Sequence, residues 1–560
     1  VSYLYANGRN ITSRRKTILS LSPEFIILPK ILKVKADLSV TPTTYQREKT
    51  HPMQERVNTS WTALENRWAT ENTGYIERSS TDQYSINVYA DYNQTFAQKH
   101  NVSALIGFNQ EQEKYAYSSI SLVKMIDPYI LNPTLVEDVT ANTSGNGHHE
   151  ISARALFGRI MYNYMSKYLI EVDARYDGSS KFPKDSRYQF FPTVSLGWRI
   201  SEEEFFKADW VDNLKLRASW GSIGNDSQLN ASQFVSGWQF EDRFILGGAG
   251  NSSASITNGM KEANLANPNI TWYKVMTTNV GLDGSFWGGK LSFEFDYFYR
   301  KTTGYPATRN TSLPTTSGIP LPQENLNSSD NRGFELSLGT VQRIGNVNLQ
   351  IKGNVAYARE KDLYKEQALP LNQYKNWRDN GAYRWKNVTW GYEHIGQFQS
   401  YDEIYNSPIQ DGKGNSSLRP GDIKYKDLNG DGLIDANDEK VIGKGTFPDL
   451  NFGLTLAADW KGFDVNILFQ GASNYTQVLN ALTSPFRGPG EGNGFRVWMD
   501  SWHKADYNDP DSEWVPGKFP SLRIEGNDNN SKKSTYWTTD AYYVRLKSIE
   551  IGYTIPKNLL

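Results

Sequence analysis

The sequence predicts an all-β protein, an antiparallel transmembrane β-barrel with long loops at one rim and short turns at the other. Three observations predict it: apolar and polar residues alternate along many segments, connections alternate between short and long, and aromatic rings gather beside the short ones. Side chains on a strand point to opposite faces with period two, so alternation makes one face apolar and its reverse polar. A barrel in a bilayer turns the first face toward lipid and the second toward an aqueous lumen.

The alternation is clearest at Lys290–Arg300, where Leu291, Phe293, Phe295, Tyr297 and Tyr299 oppose Ser292, Glu294 and Asp296. Ile170, Val172, Ala174 and Tyr176 interleave with Glu171, Asp173, Arg175 and Asp177. Leu214, Leu216, Ala218 and Trp220 interleave with Lys215, Arg217 and Ser219. Val347, Leu349, Ile351 and Val355 do so with Asn348, Gln350, Lys352 and Asn354, and Tyr84, Ile86 and Val88 mark a shorter stretch. Segments of about ten residues with this grammar suit barrel strands, and about fifteen of them fit the chain.

The connections follow an order of their own. Met165–Lys167, Gly284–Gly289, Arg343–Asn346 and Lys461–Gly462 read as tight turns. Between them lie polar excursions over Gln112–Glu150, Ser222–Thr271, Thr302–Asp330, Lys361–Pro448 and Tyr475–Asp540. An up-and-down barrel with a plain periplasmic rim and an elaborated outer rim produces this order by construction. Residues 361–448 and 475–540 are therefore expected as long extracellular loops. Trp460 and Phe463, Phe286 and Trp287, and Tyr164 and Tyr168 flank tight turns, where an interfacial aromatic girdle belongs.

Composition narrows the function. Lys+Arg 60 balances Asp+Glu 61 in 560 residues, so no basic excess points to nucleic acid. Mean hydropathy is −0.61, and no run approaches the ~18 apolar residues of a spanning helix, a test that barrels escape. The absence of cysteine removes disulfides, thiolate metal sites and cysteine nucleophiles. No phosphate-cradling glycine loop, Gly-x-Ser-x-Gly elbow or His-Glu-x-x-His helix occurs, and no enzyme activity is expected. Val1 is not an initiator, so the chain reads as part of something longer.

One motif has a metal's spacing. Asp427, Asn429, Asp431, Leu433 (through its carbonyl), Asp435 and Asp438 stand at positions one, three, five, seven, nine and twelve of a calcium-loop pattern, with Gly432 at six. A structural Ca2+ pinning an extracellular loop is expected, although position twelve is aspartate where the pattern has glutamate. Trp377, Trp385 and Trp390 in one long loop, and Trp498 and Trp502 in the other, are candidate substrate-stacking rings, with packing of the loops as the competing role. His148-His149 reads as exposed loop, and Glu202-Glu203-Glu204 as a solvated turn.

Several blocks carry a family resemblance. They are Arg175-Tyr176-Asp177-Gly178-Ser179-Ser180-Lys181-Phe182, Phe191-Pro192-Thr193-Val194-Ser195-Leu196-Gly197-Trp198-Arg199, Asn331-Arg332-Gly333-Phe334-Glu335-Leu336, Phe447-Pro448-Asp449-Leu450-Asn451-Phe452-Gly453 and Tyr543-Val544-Arg545-Leu546 through Pro556. In this order, from roughly residue 150 to the end, the chain resembles outer-membrane transporters of the SusC/RagA type, a branch of the TonB-dependent receptors. The resemblance implies a barrel of about 22 strands with a plugged lumen, of which this piece would hold about the sixth to the twentieth. The plug and the segment gripped by TonB, itself driven by ExbB and ExbD, would precede it. A SusD-like surface lipoprotein would cap the long loops, and an oligosaccharide or peptide would be imported across the outer membrane of a Bacteroidota-like bacterium. The alternative is a secreted soluble β-rich protein, either carbohydrate-binding or a glycosidase. In that case another protein layer would cover the apolar faces.

Overall fold

The structure, a computed structural model, describes residues 8–53, 56–57, 64–65, 71–229, 233–246, 255–309, 321–368, 372–483, 494–523 and 528–556. One antiparallel sheet runs through it as an unbroken meander. Its first strand, β1, comes in three pieces (Asn10–Lys16, Leu19–Leu21 and Glu24–Leu28) that all pair with β2 (Leu32–His51). There follow β3 (Thr73–Phe96), β4 (His100–Leu122), β5 (Thr143–Tyr164), β6 (Tyr168–Ser179), β7 (Tyr188–Arg199) and β8 (Val211–Asn225). Then come β9 (Tyr273–Phe286), β10 (Leu291–Thr308), β11 (Gln323–Ile344), β12 (Val347–Tyr364), β13 (Leu450–Trp460), β14 (Phe463–Val478) and β15 (Thr538–Tyr553). Each pairs with its predecessor and its successor. Among the described residues the sheet is open, with β1 and β15 as its edges.

Short connections lie at one end. At Lys461 and Gly462 both central residues have positive φ, 46° and 88°, as a two-residue type I′ turn requires. Gly345 has φ 61° in the two-residue turn between Ile344 and Val347. Consecutive left-handed residues also close β3–β4 (Ala97, Gln98), β5–β6 (Met165, Ser166) and β9–β10 (Trp287, Gly288, Gly289). These primed geometries match the twist of the flanking strands, which fixes register at every tight turn. The connection over 200–210 is longer. There Glu203 is no solvated spectator: its carboxylate accepts from the Tyr168 hydroxyl at 2.6 Å and Trp198 Nε1 at 3.0 Å.

Register decides which residues share a face. Leu216, Leu282, Phe295, Leu336, Val355 and Phe452 stand opposite one another across β8 to β13. One residue away, Lys215, Asp283, Glu294, Ser337 and Asn354 form the adjacent row on the other face. A second apolar row holds Ile170, Leu196, Ala218, Val280, Tyr297, Phe334 and Tyr357. No protein layer covers it: Leu196 is 51% exposed and Val280 46%. A soluble protein with so wide an uncovered apolar band would aggregate, which removes the soluble alternative. The opposite face is polar, and Arg217 there holds Asp283 and Asp296 at 2.7 and 2.9 Å.

Aromatic rings mark the inner edge of the band. Trp210 stacks on Phe286 and Trp287 at 5.6 and 5.7 Å, and Phe463 lies 6.4 Å from Trp460 and 4.5 Å from Tyr553. Tyr164 stacks on Tyr168 at 6.4 Å. The expected girdle residues therefore gather in separate clusters, each beside a tight turn.

The strands run further into the outer excursions than their composition suggests. β3, β4 and β5 have 24, 23 and 22 residues, against 11 for β13. At about 3.3 Å per residue the long strands stand far above an apolar band about 25 Å tall. The outer connections accordingly shrink to 123–142, 226–272, 309–322, 365–449 and 479–537, joined by 52–72 and 180–187. His148 and His149 lie on β5 and not in a loop, and His149 Nε2 sits 3.1 Å from Glu113 Oε1 on β4. The buried clusters belong mainly to the outer connections, as in Leu122, Met125 and Val136, or Phe182, Phe191, Leu229, Ile270 and Trp272.

Candidate functional site at the outer rim

The two longest connections, 365–449 and 479–537, fold into one module. Short strands Val388–Gly391 with Lys440–Lys444 and His394–Gln397 with Ile423–Tyr425 build the first, and Tyr392 bridges to Ser534 of the second. Tyr392, Ile423, Tyr425, Ile434, Trp498 and Trp537 form their common core. A polar network crosses the same seam. Asp422, fully buried, pairs with Arg523 and accepts from Asn530 Nδ2 at 2.8 Å, while Gln410 Nε2 donates to Asn529 Oδ1 at 2.9 Å. Burial pushes the Asp422 carboxyl above the usual carboxylate range, against the pull of Arg523. Burial likewise raises the Tyr392 phenol to about 12. These groups hold two long loops in one arrangement, because leaving any of them unpaired in a dry core is costly.

The tryptophans divide. Trp498 is 4% exposed and packs on Phe519 at 5.1 Å and Trp537 at 6.2 Å, and Trp502, 5% exposed, donates Nε1 to Gln397 Oε1 at 3.2 Å. Burial removes both from any ligand-accessible surface, which corrects the expectation that they stack on substrate. Trp385, half-buried, borders the same outer cavity as Trp390, while its ring leans to the other face of the sheet. Its backbone pairs with Lys361 and its ring lies 4.5 Å from the Arg359 guanidinium, on the apolar-band side of the sheet. Trp377 and Trp390 remain available. Arg384 lies between them, 5.9 Å from the first ring and 5.6 Å from the second. Trp390, Arg384 and Arg378 border a cavity of about 790 Å³ whose other wall is Tyr273, Thr302 and Tyr305 from β9 and β10. Sequence reasoning missed Arg378, Arg384 and the two tyrosines. Only register shows that the outer ends of β9 and β10 reach this loop.

The Asp427–Asp438 loop is closed by its own side chains. Asp427 accepts from the amides of Gly430 and Gly432 at 2.7 and 2.9 Å, Asn429 from Asp431 at 3.0 Å, and Asp431 from Leu433 at 2.9 Å. Asp435 caps Asn437 at 2.7 Å, while the fully buried Asp438 brackets the amides of Leu428 and Asp435 at 2.8 and 2.9 Å. Gly432 has φ 80°, the left-handed turn the pattern's sixth position demands. The donor types fit calcium, and each carboxylate oxygen that accepts one amide keeps a second lone pair. Their convergence is weaker: among the described residues no three His, Cys, Asp or Glu side chains gather as a metal cluster.

Comparison with known proteins bears on the barrel as a whole. The family model described as "TonB dependent receptor-like, beta-barrel" matches residues 34–559, well before the blocks that carry the resemblance begin. TonB-dependent receptor P39 of Formosa agariphila is 28% identical over 511 residues, covering 84% of this chain and 46% of that protein. TonB-dependent receptor SusC of Bacteroides thetaiotaomicron is 25% identical over 410 residues, covering 71% of this chain and 37% of that protein. The chain thus spans about half the length, or less, of the curated relatives it matches. A structure of the RagAB peptide transporter superposes with a TM-score of 0.75 at 18% identity, covering 100% of this chain and 57% of that one. An uncovered apolar band, a polar inner face and short inner turns opposite long outer loops are what such a barrel requires. The chain belongs to the TonB-dependent receptor-like β-barrel family of the outer membrane, and within it is similar to SusC and to the RagAB transporter structure.

Proposed function

We propose that the protein imports a nutrient oligomer, a glycan in the first reading, and that the ligand is held at the outer mouth between Trp390, Arg384 and Tyr305, with the buried Tyr273 supporting Tyr305 from behind at 5.5 Å. The observation that carries this is the cavity itself: Trp390, Tyr305 and the forked donors of Arg384 and Arg378 line one space of about 790 Å³. Sugars offer apolar ring faces for stacking and hydroxyls for such donors. A peptide is the second reading, favoured by the charges of Arg378 and Asp379 in the same wall, which suit peptide termini. A SusD-like lipoprotein would close over the folded 365–449 and 479–537 module. Coupling to TonB, ExbB and ExbD would run through an N-terminal part beyond this chain.

Trp390→Ala is expected to weaken binding of the imported oligomer about tenfold, the scale of losing one buried aromatic anchor. Calorimetry of the intact protein against oligosaccharide and peptide panels checks it. Unchanged affinity for every ligand bound would remove the site. Trp498→Phe, which stays in the core, should leave affinity unaltered.

The proposal also places a structural Ca2+ in the 427–438 loop. Asp427, Asn429, Asp431 and the Leu433 carbonyl would be ligands, Asp435 would bind directly or through a water, and Asp438 would serve as the buried bracket. The alternating oxygens and the conformation of Gly432 support it. Chelator is then expected to speed proteolysis at this loop in the native protein. The Asp427→Ala/Asp431→Ala variant should already be fast, with no further change. Identical cleavage rates with and without chelator would show that the amide caps alone close the loop.

A further inference from the structure

On β12 the residues Arg359-Glu360-Lys361-Asp362 alternate in sign with the period of the strand. Arg359 and Lys361 continue the face of Val355 and Tyr357, which is the lipid side, whereas Glu360 and Asp362 face the lumen. Lys386 meets both luminal carboxylates there, at 2.6 and 3.1 Å. The strand therefore sorts its cations outward and its anions inward.

The neighbouring strands repeat this at the same height. The outermost aromatic row of the band is Tyr297, Phe334 and Tyr357, with Phe334 stacked on Tyr357 at 5.7 Å. The next outward row is Tyr299, Arg332 and Arg359, and the row beyond it Lys301, Asp330 and Lys361. Trp385 lies over this cluster, its ring 4.5 Å from Arg359, 5.7 Å from Arg332 and 5.8 Å from Lys361. Lys361 is also 5.8 Å from the ring of Tyr383, which is 72% exposed.

Arg332 is matched by the buried Asp330 at 2.6 Å and Arg359 by Asp449 at 3.6 Å. Lys301 and Lys361 make no ion pair among the described residues. Four cations thus face two anions, and the two unmatched lysines point toward the bilayer just beyond its hydrocarbon. Water alone gives no reason to crowd like charges around one indole at that level, whereas headgroup phosphates do.

We propose that Lys301, Lys361, Arg359 and Arg332, backed by Trp385, form a site on the outer wall of the barrel for the phosphate of an outer-leaflet glycolipid. Forked guanidinium donors take phosphate oxygens, the lysines add point charge, and the rings lie against the sugar. Trp385 also borders the cargo cavity, but Lys301, Lys361, Arg359 and Arg332 do not, so the site stands or falls independently of what is imported.

The test uses the intact protein in nanodiscs that contain diphosphorylated lipid A, the same lipid without its phosphates, or phosphate-free lipid with inorganic phosphate in the buffer. Native mass spectrometry counts retained glycolipid. The wild type is expected to retain the phosphorylated lipid about tenfold better than Lys301→Gln/Lys361→Gln, with no difference for the dephosphorylated lipid. Neither lysine is paired, so the double variant should keep its heat-dependent gel mobility; Lys361→Gln alone, with a smaller loss, is the second variant. Equal retention of phosphorylated lipid by wild type and variants would overturn the site. Displacement of that lipid by millimolar inorganic phosphate would assign the cluster to a free anion and overturn the lipid.

Discussion

Leu338→Arg is expected to destabilise the barrel in a bilayer by about 2–4 kcal/mol, the cost of a cation near the hydrocarbon midplane. Leu338, 46% exposed, stands between Phe293 and Gly353 on the apolar face, midway between the inner aromatic belt and the outer row at Tyr297 and Phe334. Its neighbour Ser337 belongs to the polar row, so Ser337→Arg is expected to change stability by less than about 1 kcal/mol. Denaturant unfolding of the intact protein in liposomes measures both. Similar losses for the two variants would mean that the faces are not segregated. Intact wild type should also shift its gel mobility when boiled, as closed barrels resist detergent until heated.

Trp537→Ala is expected to cost about 3–5 kcal/mol, confined to the outer module. Its side chain is 1% exposed, donates Nε1 to the Asn530 carbonyl at 2.6 Å, and meets Trp498, Phe519 and Tyr536 at 6.2, 6.2 and 4.6 Å. The substitution leaves a cavity and frees a carbonyl beside the Asp422–Arg523 pair. Limited proteolysis should then cut 365–449 and 479–537 rapidly while the sheet keeps its heat-dependent mobility. Trp377→Ala, at a ring 59% exposed, should leave the cleavage pattern alone. If Trp537→Ala also dissolved the sheet, module and wall would be one cooperative unit.

Much of this architecture was legible wherever a bilayer imposes it. Leu291 to Tyr299 must alternate because one side meets hydrocarbon and the other water, and the register of β10 with its neighbours repeats that reading. Outside the bilayer the constraint disappears. Gln112-Glu113-Lys114-Tyr115 on β4 and His148-His149 on β5 stand above the hydrocarbon with water on both faces, so their sequence reads as loop although they are strand. The rim was harder still. Nothing periodic distinguishes Trp498 and Trp502, which are buried, from Trp377 and Trp390, which are not. In an irregular loop burial is set by tertiary contacts across more than a hundred residues, such as Gln410 with Asn529. The calcium-like spacing was visible, but the commitment of Asp438 to two backbone amides was not.

The primed turns at the inner rim determine where such a barrel can change. Deleting one residue from Lys461–Gly462 or Gly345–Asn346 would rotate a whole strand by half a pleat, exchanging its greasy and wet sides. The same deletion in 365–449 would be absorbed before β13 begins. A pair of strands joined at the periplasmic edge is therefore the smallest heritable block, and innovation in such a wall is channelled to the surface that meets the outside world.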